Sequence, residues 1–307
     1  MNEKICALSI RENMSVQELI SEYEKGVFGA GKIAQAVHTY SQMLETDCTV
    51  FLGLAGALIP SGMGKIIAEL IRDDMVQVVV STGANVTHDL IEACGGCHLK
   101  GIPGMDSELH KKGIDRIYDA YIEDNSFVLF EEFIQTIFQK IDHTVSVSEL
   151  MNQIGQYVQS PDSFIRQAYL KNIPVFVPAF TDSILGLQAF LYSQDHQFEV
   201  NHLKDIEKIL NLLSDNTGAI FLGGGVPKNF IFQSMLMSPH AFSYALQITT
   251  DRPEYGGLSG ATLEEAISWG KVSESSMLCT VYCDVTIAFP LIVAGVRNRT
   301  TEACSLL

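Results

Sequence analysis

Short, continuous apolar runs alternate with amphipathic stretches along most of the chain. Continuous apolar runs are typical of parallel strands that are buried on both faces, whereas strands with one solvent-exposed face alternate between apolar and polar residues. The pattern predicts six buried strands: Thr49 to Leu54, Val76 to Val80, Ile173 to Phe180, Ala219 to Leu222, Tyr244 to Thr249 and Leu278 to Asp284.

The stretches between these strands have helical periodicity, and residues 15–46 are predicted to form two helices. Residues 100–125 are polar and contain Gly and Pro, so they are predicted to be irregular. Alternation of strands and helices favours an α/β fold with a doubly wound, mainly parallel sheet. We predict a single domain over residues 1–307, with a helical N-terminal part (1–46) and an α/β core (47–295). Further helices are predicted at Met63 to Asp74, Val86 to Ala93, Phe127 to Ile141 and Ser148 to Val158.

Composition narrows the classes of protein. With 307 residues, 47% of them hydrophobic, the chain can bury a large core. A net charge of −16 argues against a nucleic-acid partner, and the chain has neither an 18-residue apolar run nor a signal-peptide pattern. We therefore expect a cytoplasmic protein without a membrane partner. Its seven cysteines are expected to be reduced, and its eight scattered histidines indicate no metal site.

The segment from Thr262 to Lys271 is the strongest candidate for chemistry. Thr262 and Glu265 have the spacing of a capping box, so a short helix is predicted to begin there and to end near Trp269 and Lys271. A lysine between this helix and a buried strand loses solvation, which lowers the pKa of its amine and favours imine formation. The alternative is a lysine that interacts with the last carbonyls of its helix.

Small and acidic residues also follow the predicted strands. Gly223-Gly-Gly225 precedes a helix that Pro227 is suited to begin, and this arrangement lets a phosphate approach a helix N-terminus. Because ligands of open α/β sheets bind beyond the carboxyl ends of the strands, the set predicts a binding site there. A glycine triplet alone fits a tight turn equally well. The other residues of the set are Ser81 to Asn85, Thr181, Asp182, Asp251 and Asp284.

Two familiar motifs are rejected. Gly26 to Lys32 matches most of a P-loop, but Ile33 stands where a Ser or Thr would bind Mg²⁺, and no buried strand precedes it. Cys94-Gly-Gly-Cys97-His98 matches a haem-attachment motif and a redox motif. Its glycine pair is better suited to ending a helix after Cys94.

Five segments, in this order along the chain, resemble deoxyhypusine synthases. The family resemblance extends from about residue 15 to residue 295 and is most specific in the Ser-Trp-Gly-Lys sequence that ends at Lys271. It implies a Rossmann-like parallel sheet, NAD as cofactor and a homotetramer. The five segments are Phe51 to Gly62, Val79 to Leu90, Pro174 to Asp182, Gly223 to Lys228 and Glu265 to Lys271.

The resemblance also implies a reaction and a set of residues. NAD oxidises a polyamine such as spermidine, a lysine takes the aminobutyl group as an imine, and an acceptor amine, which in this family is a protein lysine, receives it. Lys271 matches the catalytic lysine, and Glu265, Trp269, His88 and Asn229 occupy substrate-binding positions. The predicted cofactor-binding residues are Gly56, Thr82, Gly83, Ala84, Asp182, Gly224, Thr250, Asp251, Ser259 and Asp284.

Several positions depart from the family pattern. Leu187 and Leu258 replace two aspartates of the amine pocket, Thr87 and His88 replace two glutamates, and Asn229 replaces a histidine. Fewer carboxylates leave fewer partners for a polycation. This favours an altered amine specificity, and a homospermidine synthase-type enzyme with a small amine acceptor is the alternative. A third possibility is an NAD-binding protein that has lost turnover.

Overall fold

The structure, a computed structural model, describes residues 4–305 and the side chains of residues 4–297. Two short helical turns, Ile59–Met63 and Pro253–Tyr255, accompany the regular elements. Along the chain these elements are α1 (Val16–Glu24), α2 (Phe28–Glu45), β1 (Thr49–Leu54), α3 (Gly64–Arg72), β2 (Val78–Ser81), α4 (Gly83–Ala93), β3 (His98–Lys100), α5 (Asp106–Lys111), β4 (Ile114–Ile117), β5 (Ala120–Glu123), α6 (Asp124–Phe138), β6 (Thr144–Val145), α7 (Val147–Tyr157), α8 (Phe164–Lys171), β7 (Val175–Phe176), α9 (Ile184–Asp195), β8 (Glu199–Val200), α10 (Leu203–Leu210), β9 (Thr217–Leu222), α11 (Gly225–Met235), β10 (Phe242–Thr249), α12 (Glu265–Ser268), β11 (Val272–Tyr282) and α13 (Val285–Ser305).

The chain divides into two compact units. Unit 1 consists of residues 1–53 and 210–307, and unit 2 consists of residues 54–209. The expectation of a single domain stays a prediction. In both units the central strands are parallel and helices flank them, so the predicted α/β class with a mainly parallel sheet is confirmed.

Unit 1 contains strands in the order β11–β10–β9–β1. Strand β10 runs parallel to both of its neighbours, so Leu222, Ile248 and the residues beyond them reach the same edge. All six residues of β9 are buried, as expected for a continuous apolar strand. Helix α2 packs on β10 and β11 and also contacts α1 and α13.

Strand β11 is longer than predicted because it begins at Val272 rather than near Leu278. Its first half is polar, and the register with β10 shifts between the pair Phe242–Val272 and the pair Tyr244–Met277. Such an irregularity lets a polar stretch join the edge of a sheet without burying its side chains. The polar half of the strand therefore gives no apolar run and could not be predicted from hydrophobicity. Lys271 therefore lies directly before this strand.

Unit 2 contains the parallel pair β2 and β7 with helices around it. Strand β7 has only two residues, Val175 and Phe176, whereas the apolar pattern predicted Ile173 to Phe180. Pro174 and Pro178 flank this pair, and a proline has no backbone N–H to donate to a strand ladder. Helix α4 begins at Gly83, three residues before the predicted start, because Thr82 caps it by accepting from the Asn85 N–H.

Residues 100–125 are not irregular, which corrects the prediction. Most of this stretch forms helix α5 and a three-stranded antiparallel sheet in the order β3–β5–β4. Its strands have three or four residues and are mostly half-buried or exposed, so they contain no continuous apolar run. Short strands that cover one side of a core give too weak a pattern to be predicted from the sequence.

The rejected motifs have the local structures expected for them. The segment from Gly26 to Lys32 follows α1 and continues into α2, which begins at Phe28, and residues 4–25 contain no strand. Cys94 is the C-cap of α4, and Gly95 follows it with a φ of 103°. Within residues 4–305, no helix is long and apolar enough to cross a membrane.

Candidate active site

A cavity of about 350 Å³ in unit 1 brings together most of the residues predicted for amine chemistry. Helix α11 contributes one wall, and the segment from Gly256 to Lys271, which contains α12, contributes another. The predicted residues that line it are Asn229, Leu258, Glu265, Trp269 and Lys271. His88 and Leu187 belong to unit 2 and are not among the lining residues.

Lys271 lies where helix α12 turns into strand β11. Trp269 is the C-cap of α12, and Gly270 has a φ of 68°, so the chain reverses direction just before the lysine. Lys271 Nζ lies 5.3 Å from the centroid of the Trp269 ring, within the range of a cation–π contact. Desolvation lowers the pKa of Lys271, and this raises the fraction of free amine available for attack on a carbon.

Trp269 does not enclose the lysine in this chain, because 66% of the tryptophan is exposed. The partial desolvation of Lys271 therefore comes from the cavity as a whole and not from an aromatic cover. The exposed ring leaves one face available for an alkylammonium ligand, which an aromatic face attracts through its quadrupole.

Glu265 holds the short helix in place as predicted. Its backbone N–H donates to Thr262 Oγ1 at 3.2 Å, and its carboxylate accepts from the Thr262 N–H at 3.3 Å. These reciprocal bonds form the capping box. The capping box uses only the Oε1 atom of the carboxylate, so Oε2 can accept a hydrogen bond from a ligand at the cavity wall.

Lys228 is a lysine of this cavity that the sequence reasoning did not select. It is only 3% exposed, and its ammonium donates to Gln247 Oε1 and to the carbonyl oxygens of Leu258 and Ala261. Burial lowers the pKa of Lys228 to about 8, against the opposing effect of Glu265 and Glu264. The sequence did indicate this residue, because a lysine in an apolar stretch directly after the glycine triplet is unusual.

Gln247 joins this lysine to the ends of the strands. The side chain is 1% exposed, and its amide donates to the carbonyl oxygens of Gly223 at 3.0 Å and Ser259 at 2.9 Å. A buried amide with all of these partners fixes the segment around Ser259 relative to strand β10. The cavity wall and the glycine turn are therefore connected through one polar network.

The cofactor residues predicted in unit 1 lie at the carboxyl ends of three adjacent strands. Gly224 follows β9, Thr250 and Asp251 follow β10, and Asp284 follows β11. Ser259 donates a short hydrogen bond to Asp251, and this bond is the main cause that lowers the pKa of that carboxyl group. The structure thus groups all five of these residues at one edge of the sheet.

This edge fits a dinucleotide. Gly224 is the N-cap of α11 without a side-chain cap, so the first N–H groups of that helix are free to bind a phosphate. A Cβ at Gly224 would lie 2.3 Å from Ser259 Cα, so only glycine permits this approach. At Gly225 no atom lies within 4 Å of the corresponding position, which leaves space for a ligand beside the turn.

The cofactor residues predicted in unit 2 are grouped as well. Thr82, Gly83 and Ala84 form the start of α4, and the Thr82 hydroxyl donates to the Gly56 carbonyl oxygen at 3.1 Å. A Cβ at Gly83 would lie 2.5 Å from Ser183 Cβ, so the start of α4 packs against the residue that follows Asp182. The five residues of this set are Gly56, Thr82, Gly83, Ala84 and Asp182.

The remaining departures from the family pattern lie on α4 and α9. Thr87 is 1% exposed and accepts from the Leu185 N–H at 3.3 Å, which ties α4 to the start of α9. Leu187 is 57% exposed on α9. His88 is 8% exposed and bonds to His98. Among the described residues, no group of three or more His, Cys, Asp or Glu side chains has the arrangement of a metal site.

Comparisons with known proteins show the family to which the chain is similar. The sequence model of the family described as deoxyhypusine synthase matches residues 18–296. The probable deoxyhypusine synthase 1 of Methanosarcina acetivorans is 46% identical over 295 residues, which cover 94% of this chain and 93% of the relative.

Solved structures share the fold. A crystal structure of a protein assigned as a deoxyhypusine synthase from Entamoeba histolytica superposes with a TM-score of 0.67 at 19% identity and covers 94% of both chains. The ternary complex of AgrE with ornithine and NAD+ has a TM-score of 0.53 at 13% identity and matches 88% of this chain but 33% of that one.

Proposed function

Because the chain belongs to the deoxyhypusine synthase family and is a transferase, we propose that it moves an aminobutyl group from a polyamine such as spermidine to an acceptor amine, with NAD as cofactor. The observation that carries this proposal is the cavity of unit 1. It places Lys271 beside Trp269 and Glu265, which are a nucleophilic amine, an aromatic surface and a carboxylate.

Lys271 is the group that carries the aminobutyl chain. Its Nζ adds as a free amine to the C=N carbon of the oxidised polyamine, and the bond from that carbon to the remaining diamine breaks. The acceptor amine then adds to the same carbon, and the bond to Nζ breaks. The lowered pKa of Lys271 supports this role because an ammonium has no lone pair for either exchange.

The other cavity residues bind and orient the donor. The exposed face of Trp269 and the free carboxylate oxygen of Glu265 attract cationic nitrogens, while Asn229 offers neutral hydrogen-bonding atoms. Lys228, held by three oxygens, keeps the segment around Leu258 and Ala261 in place. In this proposal Lys228 is a positioning residue.

When bound, NAD would supply hydride acceptance for oxidation of the donor amine and hydride return for reduction of the product. In unit 1, the glycine turn before α11 would hold its phosphates, and Asp251 and Asp284 would accept hydrogen bonds from its hydroxyl groups. The uncapped N–H groups of α11 and the open space at Gly225 support this placement.

The acceptor separates the two candidate reactions. The family membership supports a protein lysine. The replacement of carboxylates at Leu187, Leu258 and His88 favours an amine with fewer cationic centres, as in a homospermidine synthase-type reaction with a small amine acceptor. We further propose that the protein is a cytoplasmic homotetramer. Sedimentation equilibrium that shows a monomer at micromolar concentration would contradict the assembly.

Labelled spermidine tests the function. The purified protein is incubated with NAD and spermidine labelled in the aminobutyl part, with the hypusination acceptor protein, with putrescine or with neither. We expect label on one of the two acceptors and NAD reduction with a polyamine alone. Lys271→Ala should lose transfer, and Lys32→Ala, on an exposed face of α2, is the matched control. Absence of both label transfer and NAD reduction with every amine would refute the proposal.

A further inference from the structure

Arg252 presents a guanidinium group without a polar partner beside the strand ends of unit 1. Its Cζ lies 4.4 Å from the centroid of the Tyr282 ring, so the flat guanidinium packs on the aromatic face. Among the described residues, none forms a hydrogen bond or an ion pair with this guanidinium. Tyr282 is the last residue of β11 and is 41% exposed, and Arg252 is exposed as well, so the pair faces solvent.

Four other arginines differ from Arg252 in this respect. Arg11, Arg72 and Arg116 each pair with a carboxylate, and Arg166 donates to two backbone carbonyl oxygens. The chain has 36 acidic residues and a net charge of −16, so carboxylate partners are plentiful. A guanidinium that is held on a ring and keeps its N–H groups free is oriented for an anion that the described residues do not supply.

The backbone around Arg252 is fixed relative to the glycine turn before α11. Asp251 Oδ1 accepts from the Arg252 backbone N–H at 2.9 Å, and Asp251 Oδ2 accepts the short hydrogen bond from the Ser259 hydroxyl. A Cβ at Gly260 would collide with the Arg252 carbonyl oxygen, and a Cβ at Gly224 would collide with Ser259. The carboxylate of Asp251 therefore holds the loop together, and the turn that carries Arg252 packs through Ser259 against the glycine turn.

The order of the strands places the Arg252–Tyr282 pair at one end of the proposed cofactor site. The glycine turn follows β9, Arg252 follows β10 and Tyr282 ends β11, and these three strands are adjacent. Neighbouring strands lie about 4.8 Å apart, so the glycine turn and the ring of Tyr282 are separated by roughly 10 Å. When phosphates bind at the turn after one strand, the ribose of the adenosine lies near the end of the next strand, where an arginine can accommodate a 2′-phosphate.

We propose that Arg252, held on Tyr282, binds the 2′-phosphate of NADP, so that the cofactor site of unit 1 accepts NADP as well as NAD. This inference rests on the proposed cofactor site. A phosphate offers oxygens to two guanidinium N–H groups at once, whereas the 2′-hydroxyl group of NAD does not supply the anion. The negative charge of Asp251 opposes the phosphate, which keeps the expected preference for NADP at the low end of the range for a charge-assisted hydrogen bond.

Calorimetry with nucleotide fragments tests this site without any catalysis. The full chain is titrated with 2′,5′-ADP and with 5′-AMP, which differ only in the 2′-phosphate, and then with NADP and NAD. We expect the natural protein to bind 2′,5′-ADP about tenfold more tightly than 5′-AMP, and NADP more tightly than NAD by a similar factor.

Variants of the pair change the ratio of the NADP affinity to the NAD affinity. Arg252→Met removes the charge and keeps an unbranched side chain that can pack on Tyr282, and it should lower the ratio about tenfold to a hundredfold. Arg252→Lys keeps the charge without the fork of donors and should recover part of the loss. Tyr282→Leu removes the ring and should lower the ratio about twofold to fivefold. Arg11→Met, at another exposed arginine of unit 1, is the matched control and should leave the ratio unchanged.

Two results would overturn the inference. One is a natural protein that binds 2′,5′-ADP no more tightly than 5′-AMP. The other is an Arg252→Met variant with an unchanged ratio of NADP to NAD affinity, since the phosphate would then bind elsewhere. Failure of the proposed function has a different signature, because a protein that transfers no aminobutyl group can still bind 2′,5′-ADP through Arg252. A protein that transfers the group with NAD but does not distinguish the two fragments contradicts this inference alone.

Discussion

Replacement of Lys228 by Met tests the buried polar network through the pH dependence of stability. Burial lowers the pKa of Lys228 from 10.5 to about 8. Between these two values the unfolded chain binds more protons than the folded protein, so the free energy of unfolding rises with pH. Lys228→Met keeps a side chain of similar length and removes the titrating group.

The size of the effect follows from that pKa difference. Below pH 8 the folded protein carries an unfavourable contribution of about 3 kcal/mol from the charged lysine, and the contribution disappears as pH rises through 10.5. From about pH 7 to about pH 9.5, the natural protein should therefore gain about 2 kcal/mol relative to the variant. Loss of the bonds to Gln247, Leu258 and Ala261 costs the variant about 1–3 kcal/mol, largely independent of pH.

Urea unfolding followed by circular dichroism measures the free energy of unfolding, and hence both the pH-dependent contribution and the pH-independent loss of hydrogen bonds. Protein concentration and ionic strength are held constant across the pH series. The pH slope of the difference between the natural protein and Lys228→Met is the diagnostic quantity. Lys32→Met removes an exposed lysine of unit 1 and is the matched control, for which we expect no such slope. Parallel stability curves for the natural protein and Lys228→Met would refute the reasoning, because the buried ammonium would then titrate as an exposed one does.

Three further predictions concern the cavity and the strand ends. Lys271→Ala and Lys271→Arg should each lower aminobutyl transfer by at least ~10³-fold while the circular dichroism spectrum is retained, and borohydride should trap the donor on the natural protein only; transfer by the arginine variant would contradict the covalent role. Leu258→Asp adds a carboxylate to the cavity and should tighten spermidine binding, measured by calorimetry, about 10- to 100-fold; unchanged affinity would exclude Leu258 from the amine site. Gly224→Ala places a methyl group 2.3 Å from Ser259 Cα and should weaken NAD binding about tenfold and lower stability by about 1–3 kcal/mol. Gly29→Ala in helix α2, with no neighbouring atom within 4 Å, should leave NAD binding unchanged and should not lower stability.

Local sequence patterns predicted the longer buried strands and the residue types of the candidate site. A continuous apolar run such as β9 needs burial on both faces, so its place in a parallel sheet could be predicted without the structure. The capping box of Thr262 and Glu265 is formed by residues three apart, so the sequence also located the short helix before Lys271. The resemblance to a family then predicted that Lys271 is the amine for group transfer.

Only the tertiary structure revealed the short elements and the contacts between residues distant in sequence. The antiparallel sheet of β3, β4 and β5 has strands too short and too exposed to give an apolar period. The two-residue strand β7 ends where prolines remove backbone donors, which an apolar run does not reveal.

The chemistry of individual side chains depended on contacts as well. Lys228 became distinctive only because the fold places three oxygens around its ammonium. His98 follows the end of α4, and the chain turns so that its ring bonds to two side chains of that helix, Glu92 and His88. A sequence specifies which groups can donate, accept or titrate, whereas burial and the distances between groups decide which of them do so, and both come from packing of the whole chain.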